Sequence, residues 1–359
     1  MSKITLDEYV AKQRRRYGDK AAFVGNTQFN LDVVPTGILG LDYALGIGGW
    51  PRGHSVEVFG APNIGKTSTI GYSAIAEAQK MGLQCGIINV EPRYDASWFR
   101  RRGGDPDNLV VQYPDNGEEA FEMLREWTMD PDVPFDYILF DSLGALVTQA
   151  DLESEAKARV GGQSKLITEG VKRILMSAWK NNVGIMFINQ QRDDHRARIA
   201  GLVESPGGWA VKHAAMYRIH LKPGRERFTT KIDGDDRLVG RELVANIKKS
   251  AAGDSLGASA RFNFYHMDVE GFPFGVDVAA DVINTGLKTK VIDQGGAWYR
   301  HPSFGADGKL QGKKAVEAYI GEHPEVVDVI RGEILEVMER KRSEAVASKP
   351  ELEVLDGTR

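Results

Sequence analysis

The chain has almost no cysteine, no apolar run of membrane length and no excess of positive charge. Its single cysteine, Cys85, lies in the apolar run CGIINV. No disulfide can therefore form within the chain, and a buried thiol is the plain reading. Such cysteine usage suits a reducing, intracellular compartment, the cytoplasm. No stretch approaches the ~20 apolar residues of a membrane-spanning helix. The first residues, MSKITLDEYVAKQRRRYG, are charged and lack the apolar core of a signal peptide. Net charge is −4, which argues against a chain that binds nucleic acid through overall charge. Local basic loops can still supply phosphate contacts. No internal repeat is present. What remains is 359 residues with 42% hydrophobic and 27% charged side chains, enough for a sizeable core in one large or two to three ordinary domains.

Thr5-Leu6-Asp7-Glu8 reads as a capping box that opens a helix running to about Arg16. A linker with Gly18, Gly25, Asn26 and Asn30 follows. Beyond it, SVEVFG, CGIINVE, NLVVQYP, YILFDS and VGIMFINQQ are short apolar strands. Helical stretches such as TSTIGYSAIAEAQKMG separate them. Strands alternating with helices imply βαβ units, hence an α/β fold with a mainly parallel twisted sheet. After about Phe264 the pattern changes. DVAADVINTGLKTKVI and GKKAVEAYIGEHPEVVDVIRGEILEVMERKR read as helical, with GAWYRH a short β segment between them. The expected division is 1–30, an N-terminal helix and its linker segment, to which the resemblance described below gives the role of polymerisation; 31–264, the core; 265–342, a small α+β domain; and 343–359, a disordered tail.

Gly60-Ala61-Pro62-Asn63-Ile64-Gly65-Lys66-Thr67-Ser68 contains GxxxxGK[ST] between a strand and a helix, the context a P-loop requires. The glycines let backbone N–H groups face phosphates, and the helix N-terminus adds partial positive charge. Lys66 would reach the outer phosphates of ATP and Thr67 would ligate Mg²⁺. The strand YILFD ends in Asp141, placed to hold the same ion as a Walker B acid. Glu91, ending CGIINVE, is the candidate to activate water; the bland alternative is a solvated strand-end carboxylate. Gln190, ending VGIMFINQ, is an uncharged donor able to sense the γ-phosphate, or an ordinary loop residue.

Several motifs in one order resemble the RecA family of DNA recombinases. They are TGILGLDYALGIGGWPRGHSVEVFGAPNIGKTS, INVEPRYDASWFRRRGGDPDNLVVQYPDNGEEA, YILFDSLGALV, MFINQQR, GGWAVKHAA and, near the C-terminus, GLKTKVIDQGGAWYRH. The likeness covers nearly the whole chain. It implies a RecA-like P-loop ATPase core with an N-terminal helix and a small α+β C-terminal domain. The activity it implies is DNA-stimulated ATP hydrolysis in a homo-oligomeric helical filament on single-stranded DNA. That filament would pair with duplex DNA and exchange strands. Single-strand binding and mediator proteins are further expected partners. By this resemblance Glu91 activates water and Gln190 couples the γ-phosphate to DNA. Asp95 lies near the adenine and Trp98 stacks on it where the family commonly has a tyrosine; the alternative for Trp98 is a packing role. Lys248 and Lys249 would reach the neighbouring subunit's ATP. Ala22-Phe23-Val24 would add a strand to that neighbour.

Two loops should carry the DNA contacts by the same resemblance. Residues 153–165 contain Lys157, Arg159, Val160 and Lys165. Residues 191–208 contain Arg192, Arg196, Arg198, Ile199, Gly207 and Gly208. Basic side chains on glycine-bearing loops suit a phosphate track; without the family, each is an exposed charged loop. Neither contains a Phe, Tyr or Trp, so an aliphatic wedge is expected rather than an aromatic stack. These loops, together with Asn89, Pro92, Trp209 and His213, depart from the usual bacterial pattern and point to a divergent or phage-encoded member. A ring helicase or clock-type ATPase on the same core, or an ATP-gated DNA scaffold that hardly hydrolyses, are the alternatives. Closed rings in microscopy would favour the first, and absent turnover the second.

Overall fold

The apolar runs assemble into one nine-stranded sheet. A computed structural model describes residues 3–25, 31–130, 132–153, 161–193, 203–206, 208–252 and 255–347. The strands are β1 Ser55–Gly60, β2 Cys85–Asn89, β3 Leu109–Gln112, β4 Tyr137–Asp141, β5 Gly184–Gln190, β6 Tyr217–Ile232, β7 Asp235–Ser250, β8 Ser259–Tyr265 and β9 Gly275–Val276. They lie in the order β9-β8-β7-β6-β1-β5-β4-β2-β3. Neighbours from β6 across to β3 run parallel, and those from β6 to β9 antiparallel. The expected α/β class holds. The sheet nevertheless continues to β9, so the boundary drawn at 264 falls inside it.

Among the described residues the α-helices of six or more residues are α1 Leu6–Tyr17, α2 Leu39–Leu45, α3 Tyr72–Lys80, α4 Ala96–Arg101, α5 Gly117–Met129, α6 Gly162–Asn181, α7 Gly208–Ala214, α8 Val278–Thr289, α9 Lys313–Glu322 and α10 Pro324–Ala347. Side chains alternate across a strand, so each central strand feeds two cores. Leu139 of β4 and Met186 and Ile188 of β5 pack with Leu41 of α2 and Ile75 of α3. Ile138, Phe140, Ile185 and Phe187 face the other way, onto Phe121 and Leu124 of α5 and Ile167 and Ile174 of α6. Each such buried side chain contributes about 1.5–3 kcal/mol relative to exposure. Helices thus cover both faces, as a buried parallel sheet demands.

Around α1 the capping box forms as the sequence implies. The Glu8 N–H donates to Thr5 Oγ1 at 3.2 Å, and the Thr5 N–H to Glu8 Oε2 at 2.8 Å. Ala22-Phe23-Val24 is irregular rather than a strand. A lone edge strand needs another edge to pair with. Here Phe23 instead meets Trp179 of α6 edge-on at 6.3 Å, and Lys20 Nζ donates to the Trp179 carbonyl at 2.8 Å.

The small C-terminal unit has its own core of Val282, Ile283, Ile292, Tyr299, Phe304, Val316, Ile320, Ile330 and Ile334. GAWYRH expands into three short antiparallel strands, Asp293–Gly295, Trp298–Arg300 and Lys309–Gln311. Its long helical segment divides at His323, because Pro324 cannot continue a helix but suits the first turn of the next. α10 runs to Ala347, into the segment assigned to the tail; residues 348–359 lie outside the described residues.

Leu39 of α2 joins that C-terminal core, and beside it two carboxyls are buried between the units. Asp42 Oδ1 accepts from the Thr36 N–H at 2.7 Å, and Asp281 Oδ1 from the Gly40 N–H at 3.1 Å. Burial pushes Asp42 up to about 8, with Thr36 opposing and Asp281 adding to the rise. Burial pushes Asp281 to about 6. A carboxyl whose folded value lies above its unfolded 3.8 favours folding most below that value. It loses this contribution as pH rises through the window to about 8. Asp42→Asn keeps the acceptor for Thr36 and cannot ionise. Its stability relative to wild type is expected to climb with pH across that window, by at most about 1.4 kcal/mol per unit. Denaturant titrations at several pH values measure this; a constant difference would refute it.

Candidate functional site

The carboxyl ends of β1, β5, β4 and β2 lie side by side, and the sequence-derived nucleotide residues gather there. The register sets Gly60 opposite Gln190, and Asp141 opposite both Asn89 and Ile188. Ligands of open α/β sheets bind outside this edge. A cavity of about 380 Å³ opens there, bordered by Pro62, Asn63, Gly65, Lys66, Thr67, Ser68, Glu91, Asp95, Trp98, Asp141 and Gln190.

The P-loop backbone explains its glycines. Gly65 has φ +99°, and a Cβ there would meet Thr69 Oγ1 at 2.6 Å; a Cβ on Gly60 would meet the Leu221 carbonyl oxygen at 2.3 Å. Ile64 turns into the core, so it can serve a ligand only through its backbone. Lys66 Nζ donates to the carbonyls of Gly60 at 3.1 Å and Ala61 at 2.8 Å. Burial lowers its pKa, against the pull of Asp141 and Glu91. Thr67 Oγ1 donates to Asp141 Oδ2 at 2.8 Å. Burial raises Asp141 to about 6; the Thr67 bond opposes this and Glu91 adds to it. An anion beside Lys66 and a cation beside Asp141 would relieve both strains. The buried Thr69 Oγ1 also finds no partner among the described residues. No cluster of His, Cys, Asp or Glu able to hold a metal unaided occurs among the described residues. Thr67 and Asp141 therefore suit an ion shared with phosphates, as Mg²⁺ commonly is. The site fits a magnesium nucleotide.

Glu91 and Gln190 come together. Glu91 Oε1 accepts from Ser142 Oγ at 3.0 Å and from Gln190 Nε2 at 3.4 Å, and Arg93 lies 3.4 Å from Oε2. Sequence reading missed Ser142 and Arg93, although each stands within two residues of a strand-end acid. Asp95 borders the cavity, but its Oδ1 caps α4, accepting from the N–H groups of Ser97 at 2.8 Å and Trp98 at 3.0 Å. The Trp98 N–H, followed by the Ser97 hydroxyl, which also donates to Oδ1 at 2.7 Å, holds its pKa low. Trp98 is half-buried and meets Phe274 edge-on at 5.0 Å, so it both packs and borders the cavity.

Lys248 and Lys249 lie on β7, away from this cavity, and differ from each other. Lys248 is exposed. Lys249 Nζ donates to the carbonyls of Lys212 at 2.8 Å and His213 at 2.6 Å, closing the end of α7. Burial lowers the pKa of Lys249, and Arg218 adds to the effect.

Of the DNA-contact candidates, Lys157, Arg159, Val160, Arg196, Arg198, Ile199 and Gly207 lie outside the described residues. Lys165 is exposed on the first turn of α6, 3.9 Å from Glu169. Arg192 starts a two-residue strand, Arg192–Asp193, that pairs with Val203–Glu204, and Gly208 opens α7. Just past that glycine, Trp209 is 75% exposed and stacks on His213 at 5.6 Å. The second loop contains no aromatic, but its rim does.

The RecA N-terminal domain family matches residues 5–258, and the RecA C-terminal domain family residues 280–339. The chain belongs to the RecA family. It is 31% identical over 337 residues to the RecA protein of Desulfovibrio desulfuricans, covering 93% of this chain and 89% of that one. It is 32% identical over 311 residues to that of Thermus aquaticus, covering 86% of each. Against the RecA protein of Porphyromonas gingivalis it is 31% identical over 320 residues. Divergence at this level over nearly full length describes a divergent RecA-type recombinase. No helix among the described residues is long and apolar enough to cross a membrane.

Proposed function

We propose that this RecA-family chain is an ATP-dependent recombinase of the cytoplasm. It assembles as a helical filament on single-stranded DNA, pairs it with duplex DNA and exchanges strands. DNA binding stimulates hydrolysis of Mg²⁺–ATP, with single-strand binding and mediator proteins as further partners. The observation that carries this reading is the contact of Gln190 with Glu91. Gln190 ends β5 at the nucleotide cavity and leads directly into residues 191–208. One side chain thus touches the candidate base and begins the candidate DNA loop.

The residues divide the work. Backbone N–H groups of Gly65, Lys66, Thr67 and Ser68 face the phosphates, with Lys66 leaving the Gly60 and Ala61 carbonyls for the outer ones. Thr67 and Asp141 hold the metal ion. Trp98 offers an aromatic face to the base. Glu91, oriented by Ser142 and Gln190, accepts a proton from water. Bound Mg²⁺–ATP supplies the phosphoanhydride and the charge that makes it labile. Lys165, the basic residues of both loops and the Gly207-Gly208 backbone track the DNA phosphates, with Val160 and Ile199 as wedges. The exposed Trp209 adds a stacking face at the loop's rim. Lys248 faces a neighbour's nucleotide; Lys249, committed to α7, positions that helix instead.

Lys66→Ala tests the coupling. It is expected to abolish turnover and to remove the ATP dependence of single-stranded DNA affinity, because ATP can favour the DNA-binding state only through contacts it makes better there. Filter binding with and without nucleotide, beside a DNA-stimulated ATPase assay, reads both. DNA affinity that ignores nucleotide in the wild type would sink the reading.

A further inference from the structure

A buried polar network lies behind the nucleotide cavity and has no part in the chemistry described so far. Its centre is Glu57 of β1, fully buried three residues before Gly60. Arg218 of β6 sits opposite it in register. Arg218 Nε donates to Glu57 Oε2 at 2.6 Å, and Asn189 Nδ2 to Glu57 Oε1 at 2.8 Å. The same two donors' side chains also hold the returning end of the second loop. Asn189 Nδ2 donates to the Pro206 carbonyl at 2.8 Å, and Arg218 Nη2 to Ser205 Oγ at 3.0 Å. Asn189 Oδ1 in turn accepts the backbone N–H of Gln190 at 3.0 Å.

Both ends of residues 191–208 therefore meet at Asn189, one residue from the side chain that touches Glu91. A buried ion pair is weak support for stability, since apolar side chains of like volume often serve as well. What this one provides is geometry. The planar guanidinium fork binds β1 and Ser205 at once, which a lysine's single ammonium nitrogen does not reproduce. With Asn189 donating to Glu57 and to Pro206 through one nitrogen, a shift of Gln190 toward a nucleotide moves the support of Pro206 with it.

We propose that Glu57, Arg218 and Asn189 are positioning residues that make the returning end of the second loop, Ser205-Pro206, follow the nucleotide state sensed by Gln190. The inference rests on the reading of residues 191–208 as a DNA loop, but the mechanical link does not require DNA. Arg218→Lys keeps the charge beside Glu57 and loses the fork. Ser205→Ala removes only the loop-side bond and guards against a folding defect in the first variant.

Amide hydrogen exchange of the peptide covering residues 203–214, with and without Mg²⁺ and ATPγS and with no DNA, reads the link directly. The wild type is expected to exchange more slowly with nucleotide. Both variants are expected to lose that response while binding a fluorescent ATP analogue with wild-type affinity. Ser205→Thr, which keeps the hydroxyl, is expected to regain it. In the ATPase assay, stimulation by single-stranded DNA is expected to fall about fivefold or more in both variants, the size of an ordinary coupling between sites. A nucleotide response that persists in both variants, or that the wild type lacks, overturns the proposal. So does a response lost equally in Ser205→Thr, which would make Ser205 a packing residue. A wild type whose turnover ignores DNA would instead overturn the recombinase reading, and the exchange experiment would still decide the network.

Discussion

Glu91→Gln is expected to bind ATP and assemble on DNA normally and to turn over roughly 10²–10⁴-fold more slowly, the contribution of a positioned general base. The substitution is nearly isosteric. Glu91 Oε1 accepts from Ser142 Oγ and Gln190 Nε2, and a glutamine oxygen can keep both bonds. The contact with Arg93 is lost, but that side chain is 79% exposed, and a surface pair of this kind contributes little. The variant therefore removes the proton acceptor and little else. Steady-state turnover with single-stranded DNA, set beside an equilibrium nucleotide titration, separates the cases. Unchanged turnover removes Glu91 from the mechanism. A matching loss of nucleotide affinity would make it a binding residue.

Glu91, Lys66, Thr67, Asp141 and Gln190 were legible because each is a polar residue ending an apolar strand or closing a glycine loop. Parallel strands bring their carboxyl ends together, so naming the strands nearly names the site. The Thr5–Glu8 box was legible because capping is local. The network behind the site was not. Glu57 lies inside an otherwise apolar strand, and its partners Asn189 and Arg218 stand 132 and 161 positions away. Only the fold brings them into contact. Asp42 was hidden in the same way, inside a short helix whose sequence gives no sign of its burial.

The β6–β7 hairpin is not among the strands that the apolar runs mark, although Asp233-Gly234, with φ of 54° and 91°, is a hairpin turn signal. Beyond Leu221 the end of β6 is largely exposed, so the alternation that marks a half-buried strand is weak. In the sequence Trp209 shows only as a departure from the family pattern, one residue past the loop that ends at Gly208. The helix that follows leaves its first aromatic in solvent.

Deleting residues 1–30 is expected to yield a soluble monomer that forms no filament and shows little DNA-stimulated turnover. α1 buries none of its side chains. Leu6 is 76% and Tyr9 51% exposed, and with Val10 they fall at i, i+3 and i+4, one face of a helix. Together with Phe23, Met176 and Trp179 these three side chains border an apolar recess of about 870 Å³. Burying several such side chains on a neighbour yields about 1.5–3 kcal/mol each, before the cost of association. Within its own chain the segment is held mainly through Lys20 and Phe23 against Trp179, so its removal leaves both central cores intact. In the neighbour's presence Ala22-Phe23-Val24 gains the edge it lacks alone and can pair as a strand. A contact between two different surfaces builds a ring where its rotation closes and an open helix where it does not, rather than a compact two-fold dimer, and microscopy tells the two apart. Lys248→Ala separates assembly from chemistry. It is expected to leave filaments partly intact and to lower turnover, because a cation facing a neighbour's developing phosphate charge is lost. Light scattering and electron microscopy on single-stranded DNA, with ATPase rates for both variants, make the test. Normal filaments and normal hydrolysis by the truncated chain would show that subunits join through some other surface.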